Sequence, residues 1–259
     1  MSKNKQTKFA ELDALPNVLQ YPYKILKSLE GHFPYRGKWG EMVFGNDHPI
    51  IVELGCGRGE YTLELGRKHP ENNYIGIDIK GNRMWSGATT AHQEGLNNVR
   101  FLRAEIESLI HFFDEGEISE IWLTFPDPQM RKRRKRLTST SFLQQYKSIL
   151  RSPMLLNLKT DSLFLFTYSE LVAKANGLEI IECYQDIDKE VQEESDLRSI
   201  QTYYESQWRG RGITIKFLKL ALEALPDTPI EPSDEVPWDS YRSYGRERRS
   251  AMNQTDDNI

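Results

Sequence analysis

The segment that most constrains the fold of this chain is a short apolar run that leads straight into three closely spaced glycines. Residues Ile50–Leu54 have the composition of a buried strand, and Gly55, Gly57 and Gly59 follow with one residue between neighbours. The next stretch, Glu60–His69, carries apolar residues at helical spacing and ends before a proline. A strand, a glycine turn and a helix in that order predict an open sheet of parallel strands with a ligand lying across the strand ends.

The same alternation of short β-branched runs and longer amphipathic stretches continues from Pro49 to about residue 220. It predicts a doubly wound α/β fold with a mostly parallel sheet and helices on both faces. The predicted strands are Ile50–Leu54, Asn73–Asp78, Val99–Arg103, Ile118–Phe125, Leu163–Thr167 and Leu178–Tyr184. The predicted helices are Glu60–His69, Met84–Gly95, Glu105–Phe113, Thr138–Leu150 and Glu170–Asn176.

Charge and composition narrow the functional classes. The chain has 259 residues, with 34 Lys and Arg against 38 Asp and Glu, so its net charge of −4 excludes a protein that coats nucleic acid with its whole surface. Two cysteines are too few for a disulfide framework or a cysteine zinc site, and no metal is predicted. No run approaches the roughly 20 apolar residues of a membrane span, and no secretory signal opens the chain, so we expect a cytoplasmic protein without membrane contact.

The two ends differ from the middle of the chain. Residues 1 to about 15 are polar, and residues 226–259 contain four prolines, many charges and little periodicity, so both segments are predicted to be flexible. The distal part of the tail carries Arg242, Arg246, Arg248 and Arg249. These arginines fit either a solvated tail or a secondary anchor for a polyanion.

Acidic residues around the glycine turn indicate which ligand it binds. Asp78 ends the second strand 19 residues after Gly59, where a carboxylate can accept hydrogen bonds from the hydroxyls of a ribose. Glu53, just before the glycines, would repel a phosphate and attract a cationic ligand, which favours S-adenosylmethionine over NAD. Glu105, after the third strand, fits an adenine amino group or a plain acid at a helix N-terminus. A tight turn without any ligand is the alternative for the glycines.

The fourth strand ends in a carboxylate between two prolines. Pro126 and Pro128 restrict the backbone on both sides of Asp127, and such stiffness suits a group that must be aimed at a reacting centre. A proline-terminated strand without a function would explain the prolines but not the carboxylate. We therefore predict that Asp127 is part of the active site.

Six consecutive cations follow this turn, from Arg131 to Arg136. In a chain of negative net charge they would attract a polyanion and release counterions on phosphate binding. A solvated face and a nuclear targeting signal are the alternatives. We favour phosphate binding, because the sequence offers these cations almost no acidic neighbour.

Together these segments resemble the bacterial tRNA (guanine-N7-)-methyltransferase family of the single-subunit type. The similarity spans roughly Trp39 to Leu220. Its carriers are GKWGEMVFGNDHPIIVELGCGRGEY, YIGID, NVRFLRAE, FPDP with the basic run and RLT after it, and the distal Thr202-Tyr203-Tyr204-Glu205. The combination is far more specific than a glycine turn alone.

The resemblance implies a Rossmann-like methyltransferase domain at residues 37–225, an N-terminal extension at 1–36 and a charged tail at 226–259. It implies methyl transfer from S-adenosylmethionine to N7 of a guanine in tRNA, in the variable loop, by a monomer or homodimer. The implied cofactor contacts are Glu53, Gly55, Gly57, Asp78, Glu105 and Asp127, with Asp127 also catalytic. The implied tRNA contacts are Arg131, Thr202, Tyr203, Tyr204 and Glu205.

The chain departs from the family pattern at three places. Glu105 replaces a more usual aspartate, and Gln129 stands where the family has tryptophan. The Thr-Asp pair that ends the family's fifth strand is matched here to Thr167-Tyr168, with Asp161 at the start of that predicted strand. Gln129 and Tyr168 leave open the alternative of an RNA-binding partner without turnover, and a methyltransferase for another substrate is the runner-up among enzymes.

Overall fold

The structure, a computed structural model, describes residues 5–240. Within that range eight strands form one sheet. The strands are β1 Val18–Gln20, β2 Ile50–Leu54, β3 Asn73–Ile77, β4 Val99–Arg103, β5 Ile118–Thr124, β6 Leu150–Thr160, β7 Glu179–Tyr184 and β8 Lys216–Ala221. The helices are α1 Lys5–Ala14, α2 Tyr23–Ser28, α3 Glu60–Lys68, α4 Gly81–Gln93, α5 Leu109–Phe112, α6 Thr140–Ile149, α7 Leu163–Ala175, α8 Ile187–Glu190, α9 Asp196–Ser199 and α10 Tyr203–Arg209.

The sheet is doubly wound, as predicted. Its strand order is β1-β4-β3-β2-β5-β6-β8-β7. Every neighbouring pair from β1 to β6 is parallel, whereas β8 runs antiparallel to both β6 and β7. The chain builds outward from β2 through β3 to β4, then returns to the other side of β2 with β5. The carboxyl ends of β2 and β5 therefore flank the crevice where ligands bind in such sheets.

Alternation along the central strands produces two apolar layers. Val52 and Leu54 of β2 pack into one cluster with α5, α6 and α7, while Ile51 faces the other cluster with α3 and α4. Successive side chains of a strand point to opposite faces, so a strand buried throughout needs cover on both sides. β2 and β3 are such strands. Helices therefore cover both faces of the sheet.

The N-terminal extension adds an edge to the sheet. β1 pairs in parallel with β4, and α1 packs against α4. Leu12 of α1 is buried, and the Asn17 side-chain amide donates to the Ala88 carbonyl at 2.9 Å. Residues 5–14, predicted to be flexible, thus form a packed helix.

One predicted strand is wrong. Leu163–Thr167 belongs to α7, which also includes most of the predicted helix Glu170–Asn176, and the parallel strand that follows β5 in the chain is β6. The Ser162 side chain accepts a hydrogen bond from the Leu165 backbone N–H, which caps α7. β6 escaped prediction because it contains a proline and a lysine, and the lysine is paired inside the fold.

Other boundaries shift less. The predicted helix Glu105–Phe113 divides into a 3₁₀ turn, Ile106–Ser108, and α5, and the helix predicted at Thr138–Leu150 is α6. The sequence predictions for β2 and β4 are confirmed to the residue. They missed β1, α2, β6, β8, α8, α9 and α10, together with a π-helical turn at Trp39–Phe44.

The first part of the charged tail packs on the domain. The Glu231 carboxylate accepts hydrogen bonds from the Thr140 backbone N–H at 3.0 Å and the Tyr168 hydroxyl at 2.6 Å. The domain boundary at 225/226 remains a prediction, but residues 226–240 contact α6 and α7. Arg242, Arg246, Arg248 and Arg249 lie outside the described residues. Among residues 5–240, every helix is too short or too polar to span a bilayer.

Candidate active site

The glycine turn leaves β2 in a left-handed conformation with open space beside it. Gly55 has φ of 78°, and a Cβ there would meet no atom within 4 Å. At Gly59, where φ is 74°, a Cβ would lie 2.5 Å from the Phe101 ring. Both positions require glycine because of the left-handed backbone conformation. Gly59 requires it also because the Phe101 ring leaves no room for a side chain. The open side at Gly55 lets a ligand approach the backbone.

Asp78 is fixed against this turn. Its carboxylate accepts hydrogen bonds from the Gly57 backbone N–H at 3.0 Å and the Lys80 backbone N–H at 2.8 Å. A carboxylate has about four lone-pair sites, so acceptor capacity remains for ligand hydroxyls. The position at the end of β3, beside the glycines, is the one predicted from spacing.

Glu53 lies beneath the turn, buried at the end of β2. The Thr62 backbone N–H donates to its carboxylate at 2.9 Å, and the hydroxyls of Thr62 and Thr124 donate as well. Burial raises the pKa of Glu53 to about 7, these hydrogen bonds lower it, and the charge of Asp78 raises it. Glu53 therefore links β2, α3 and β5, and its contact with a cofactor stays a prediction.

Glu105 has a partner that the sequence did not indicate. Its carboxylate accepts a hydrogen bond at 2.7 Å from the backbone N–H of Tyr23, the first residue of α2. A negative charge at a helix N-terminus is favourable. Glu105 thus joins the N-terminal extension to the end of β4 through one carboxylate oxygen, Oε2. The other oxygen, Oε1, can accept a hydrogen bond from a ligand.

Asp127 is presented by a strained turn after β5. Phe125 and Gln129 adopt positive φ values of 50° and 46°, which are rare for residues other than glycine. The Asp127 side chain is exposed, and its Oδ1 accepts a hydrogen bond from the Gln129 backbone N–H at 3.0 Å. The Phe125 N–H donates to the Lys159 carbonyl at 2.8 Å. The turn therefore aims a carboxylate outward at the strand ends.

The basic run is not a single surface. Arg131 to Arg134 are exposed, and Lys135 pairs with Glu107 at 2.7 Å. Arg136 is 7% exposed, donates to the Met130 carbonyl at 2.9 Å, and has its guanidinium over the rings of Phe164 and Tyr168. Arg136 thus stabilises the turn that carries Asp127, and four of the six cations remain for phosphate.

The distal Thr-Tyr-Tyr-Glu motif begins α10. The Thr202 side chain caps the helix by accepting a hydrogen bond from the Glu205 N–H at 3.2 Å. Glu205 is fully buried, and its carboxylate accepts hydrogen bonds from Lys159 at 2.7 Å and Arg209 at 2.9 Å. Tyr203 and Tyr204 are about half exposed. Of the predicted substrate residues in this motif, only the two tyrosines present large side-chain surfaces.

Tertiary packing brings α10 against the glycine turn. The Tyr203 N–H donates to the Glu60 carboxylate at 2.8 Å, although the two residues are 143 positions apart. The Arg58 guanidinium lies 4.7 Å from the centre of the Tyr203 ring. The end of β2 and the distal motif therefore form one continuous site.

Sequence reasoning missed Lys159, a buried lysine near the end of β6. Its ammonium donates to the Ile200 carbonyl at 2.9 Å and to Glu205, and lies 5.1 Å from the centre of the Tyr61 ring. Burial lowers the pKa of Lys159 to about 8, opposed by the Glu205 carboxylate. A lysine inside the apolar run before Thr160-Asp161 was the signal that could have identified it.

Comparisons with known proteins show which family the chain belongs to. A family model described as a putative methyltransferase matches residues 47–218. The tRNA (guanine-N(7)-)-methyltransferase of Porphyromonas gingivalis is 52% identical over 240 residues, which cover 92% of this chain and 98% of the relative. The corresponding protein of Bacteroides thetaiotaomicron is 48% identical over 254 residues, which cover 97% and 98%. The chain belongs to the tRNA (guanine-N(7)-)-methyltransferase family.

Solved structures support the fold of this family member. The 16S rRNA methyltransferase KamB has a TM-score of 0.54 and 14% sequence identity, covering 71% of this chain and 91% of that chain. At that identity the likeness shows the fold alone. The Rossmann-like methyltransferase sheet predicted from the sequence is confirmed.

Family membership and the bounds of β6 correct one predicted departure. β6 ends at Thr160 and Asp161 follows it, so the strand end to which the resemblance assigns a Thr-Asp pair carries Thr160-Asp161, whereas Thr167-Tyr168 lies inside α7. Tyr168 lies inside α7, where it is buried. Asp161 is also buried; burial lowers the pKa of Lys216, and the negative charge of Asp161 opposes that shift. At Gln129, the contact with Asp127 is made by the backbone, so it does not depend on a tryptophan side chain.

Proposed function

We propose that this protein transfers a methyl group from S-adenosylmethionine to N7 of a guanine in tRNA, within the variable loop. The single observation that carries the proposal is the exposed Asp127, held by its turn beside an exposed cluster of cations, Arg131 to Arg134. Relatives that carry the tRNA (guanine-N(7)-)-methyltransferase name cover nearly the whole chain. A carboxylate for a base and cations for phosphates thus occur side by side.

The residues present fit S-adenosylmethionine. Space is open beside Gly55, and Asp78 is fixed at the neighbouring strand end with unused acceptor capacity. Carboxylates attract the ammonium and sulfonium charges of this molecule, whereas they would repel a pyrophosphate. In this proposal Gly55 and Gly57 approach it through their backbone, Asp78 accepts the ribose hydroxyls, and Glu105 uses its second oxygen for the adenine amino group.

Glu53 and Asp127 complete the proposed cofactor site. Glu53 contributes mainly by the negative charge that it carries above its pKa of about 7, because its oxygens already accept hydrogen bonds from Thr62 and Thr124. Asp127 adds a second negative charge at the end of the neighbouring strand β5. When bound, S-adenosylmethionine supplies a methyl group on a positively charged sulfur.

Catalysis in this proposal consists of positioning. Guanine N7 has an in-plane lone pair and no proton, so no general base is needed to generate the nucleophile. The Asp127 carboxylate accepts hydrogen bonds from the N1 and N2 donors of the guanine, which fixes the orientation of the base. Correct orientation in a bound complex gives most of the advantage of an intramolecular reaction. Glu205 contributes through α10, which it stabilises from inside the fold.

The remaining proposed contacts are with RNA outside the target base. Arg131 and the exposed cations after it bind phosphates, which makes affinity dependent on salt. Tyr203 and Tyr204 stack on unpaired bases, as exposed aromatic side chains do in RNA complexes. The alternative of a partner without turnover rested partly on Tyr168, which lies inside α7, whereas Thr160-Asp161 stands at the end of β6.

The test compares Asp127→Ala with the matched control Asp47→Ala. Asp47 is exposed and precedes β2, at the opposite edge of the sheet. We expect Asp127→Ala to lower methyl transfer to tRNA by about 100-fold or more, because the base loses its orientation, while tRNA affinity stays close to that of the wild type. Methyl transfer is followed with isotopically labelled S-adenosylmethionine, and the modified position is identified by mass spectrometry.

Several outcomes count against the proposal. Equal losses of transfer and tRNA binding in Asp127→Ala would assign this residue to binding alone. Methylation of a different atom or a different RNA would contradict the substrate. If calorimetric titration of the wild type with S-adenosylmethionine shows no binding, the protein is no methyltransferase of this type.

A further inference from the structure

The last described residues fold back over the end of β6. Asp239 is buried and its carboxylate accepts hydrogen bonds from the Phe164 backbone N–H, at 3.0 Å, and from the Ser162 hydroxyl. These partners begin α7, directly after Thr160-Asp161. The segment from residue 232 to residue 240, termed here the C-terminal strap, is therefore anchored at the carboxyl edge of the sheet, where ligands of such folds bind.

The C-terminal strap presents a tryptophan immediately before this anchor. Trp238 is 55% exposed, and the Arg131 guanidinium lies 5.5 Å from the centre of its ring. Arg131 is the first of the exposed cations after the Asp127 turn. The indole therefore lies beside the proposed phosphate-binding surface, and its position is fixed by the buried Asp239.

Packing does not account for this placement. Tryptophan has one of the largest apolar surfaces of any side chain, and burying it is strongly favourable. Nevertheless, 55% of Trp238 is exposed to solvent. Exposure alone does not indicate a binding role, since Ile230 of the preceding segment is 63% exposed. Trp238 differs because a cation covers part of its ring and because its neighbour is anchored. An aromatic face with an adjacent cation is the arrangement that binds an unpaired base and its phosphate.

We propose that Trp238 stacks on an unpaired base of the RNA substrate next to a phosphate bound by Arg131. The C-terminal strap is then a substrate-binding element in addition to the basic run and α10. This inference rests on the proposed function, in which the substrate is tRNA. It adds a residue that sets affinity for RNA and takes no part in the transfer itself.

The test uses the full-length protein with Trp238→Ala, Trp238→Phe and the control Ile230→Ala. We expect Trp238→Ala to raise KM for an unmodified tRNA transcript by about tenfold, because one base–aromatic stack is lost. The kcat at saturating tRNA and the KM for S-adenosylmethionine should not change. Trp238→Phe keeps an aromatic face and should stay within about threefold of the wild type, and Ile230→Ala should behave as the wild type does.

Two further measurements separate stacking from a structural role. In Trp238→Ala, the slope of log affinity against log salt concentration should match that of the wild type. In Arg131→Gln this slope should become less steep by the amount that corresponds to about one phosphate contact. Addition of tRNA should quench part of the tryptophan fluorescence of the wild type, and this part should be missing in Trp238→Phe. A shift of the indole into a stacked position causes that quenching, and a loss of packing alone does not.

The outcomes that overturn the inference are distinct from those that overturn the proposed function. An unchanged KM for tRNA in Trp238→Ala would refute stacking, and a lowered KM would show that Trp238 obstructs the site. If the wild type binds tRNA without methylating it, the proposed function fails, but the affinity of Trp238→Ala for tRNA still decides the role of the residue. If the wild type does not bind tRNA at all, both fail.

Discussion

Replacing the buried Glu53 by glutamine should change how the stability of the protein depends on pH. Burial raises the pKa of Glu53 from 4.5 to about 7 in the folded state. Between these two pH values the folded state binds the proton more tightly than the unfolded state, so the free energy of unfolding falls as pH rises. At about 1.4 kcal/mol per pKa unit, this loss amounts to about 3 kcal/mol, most of which falls between pH 5 and pH 8.

Glutamine fits the site without a charge. Its carbonyl oxygen can accept the two hydrogen bonds from Thr62, and its amide group can donate to the hydroxyl oxygen of Thr124. In the wild type, part of the fall in the free energy of unfolding with rising pH comes from the ionisation of Glu53. This part should be absent in Glu53→Gln. The assay is urea unfolding of both proteins at pH 5, 6, 7 and 8, and the decisive quantity is the difference between them at each pH.

A second variant should act in the opposite direction. Thr62→Val removes a hydroxyl whose hydrogen bond lowers the pKa of Glu53. The decline in stability should then extend above pH 7. The reasoning is refuted if the difference between Glu53→Gln and the wild type is constant from pH 5 to pH 8, because Glu53 would then keep the same charge in the folded and unfolded states.

Two further substitutions test the supports of the site. Lys159→Met should lower the free energy of unfolding by about 3 kcal/mol, because the buried Glu205 loses one of its cations; a loss below about 1 kcal/mol in urea unfolding would contradict this role. Gly87→Ala should cost about 1–3 kcal/mol and weaken calorimetric binding of S-adenosylmethionine, because a Cβ would lie 2.4 Å from the Arg58 carbonyl of the glycine turn. The exposed Ser86→Ala on the same helix is its control, and equal binding by both variants would argue against a tight contact there.

Short-range patterns carried most of the correct predictions. β2, the glycine turn and α3 are adjacent in the chain, and each depends on local requirements: buried β-branched residues, a left-handed backbone at Gly55 and helical spacing. The placement of Asp78 beside the turn also followed from sequence, because parallel strands connected by one helix lie side by side. The stiff turn at Asp127 also followed from local sequence, because prolines flank this residue on both sides.

The error at the fifth strand has a physical origin. A strand that contains Lys159 is not predicted to be buried as long as the partner of the lysine is unknown. The run Leu163–Thr167 is apolar and is therefore predicted to be a buried strand. The partner, Glu205, lies 46 residues further along the chain. Apolar periodicity measures burial one residue at a time, so it cannot detect a charge that is buried because another charge meets it.

The sequence by itself determined the class of sheet, the glycine turn and the carboxylates at the strand ends, since local patterns of apolar residues, glycines and prolines indicate all of these. Only the tertiary structure decided what those groups touch: Glu105 meets the N-terminal extension 82 residues away, and Tyr203 meets Glu60 across 143. It also turned Arg136 inward and anchored Asp239 beside α7. Such pairings join residues that are far apart in the chain, and they form only when helices and strands pack together. Composition and the spacing of residues therefore do not predict them.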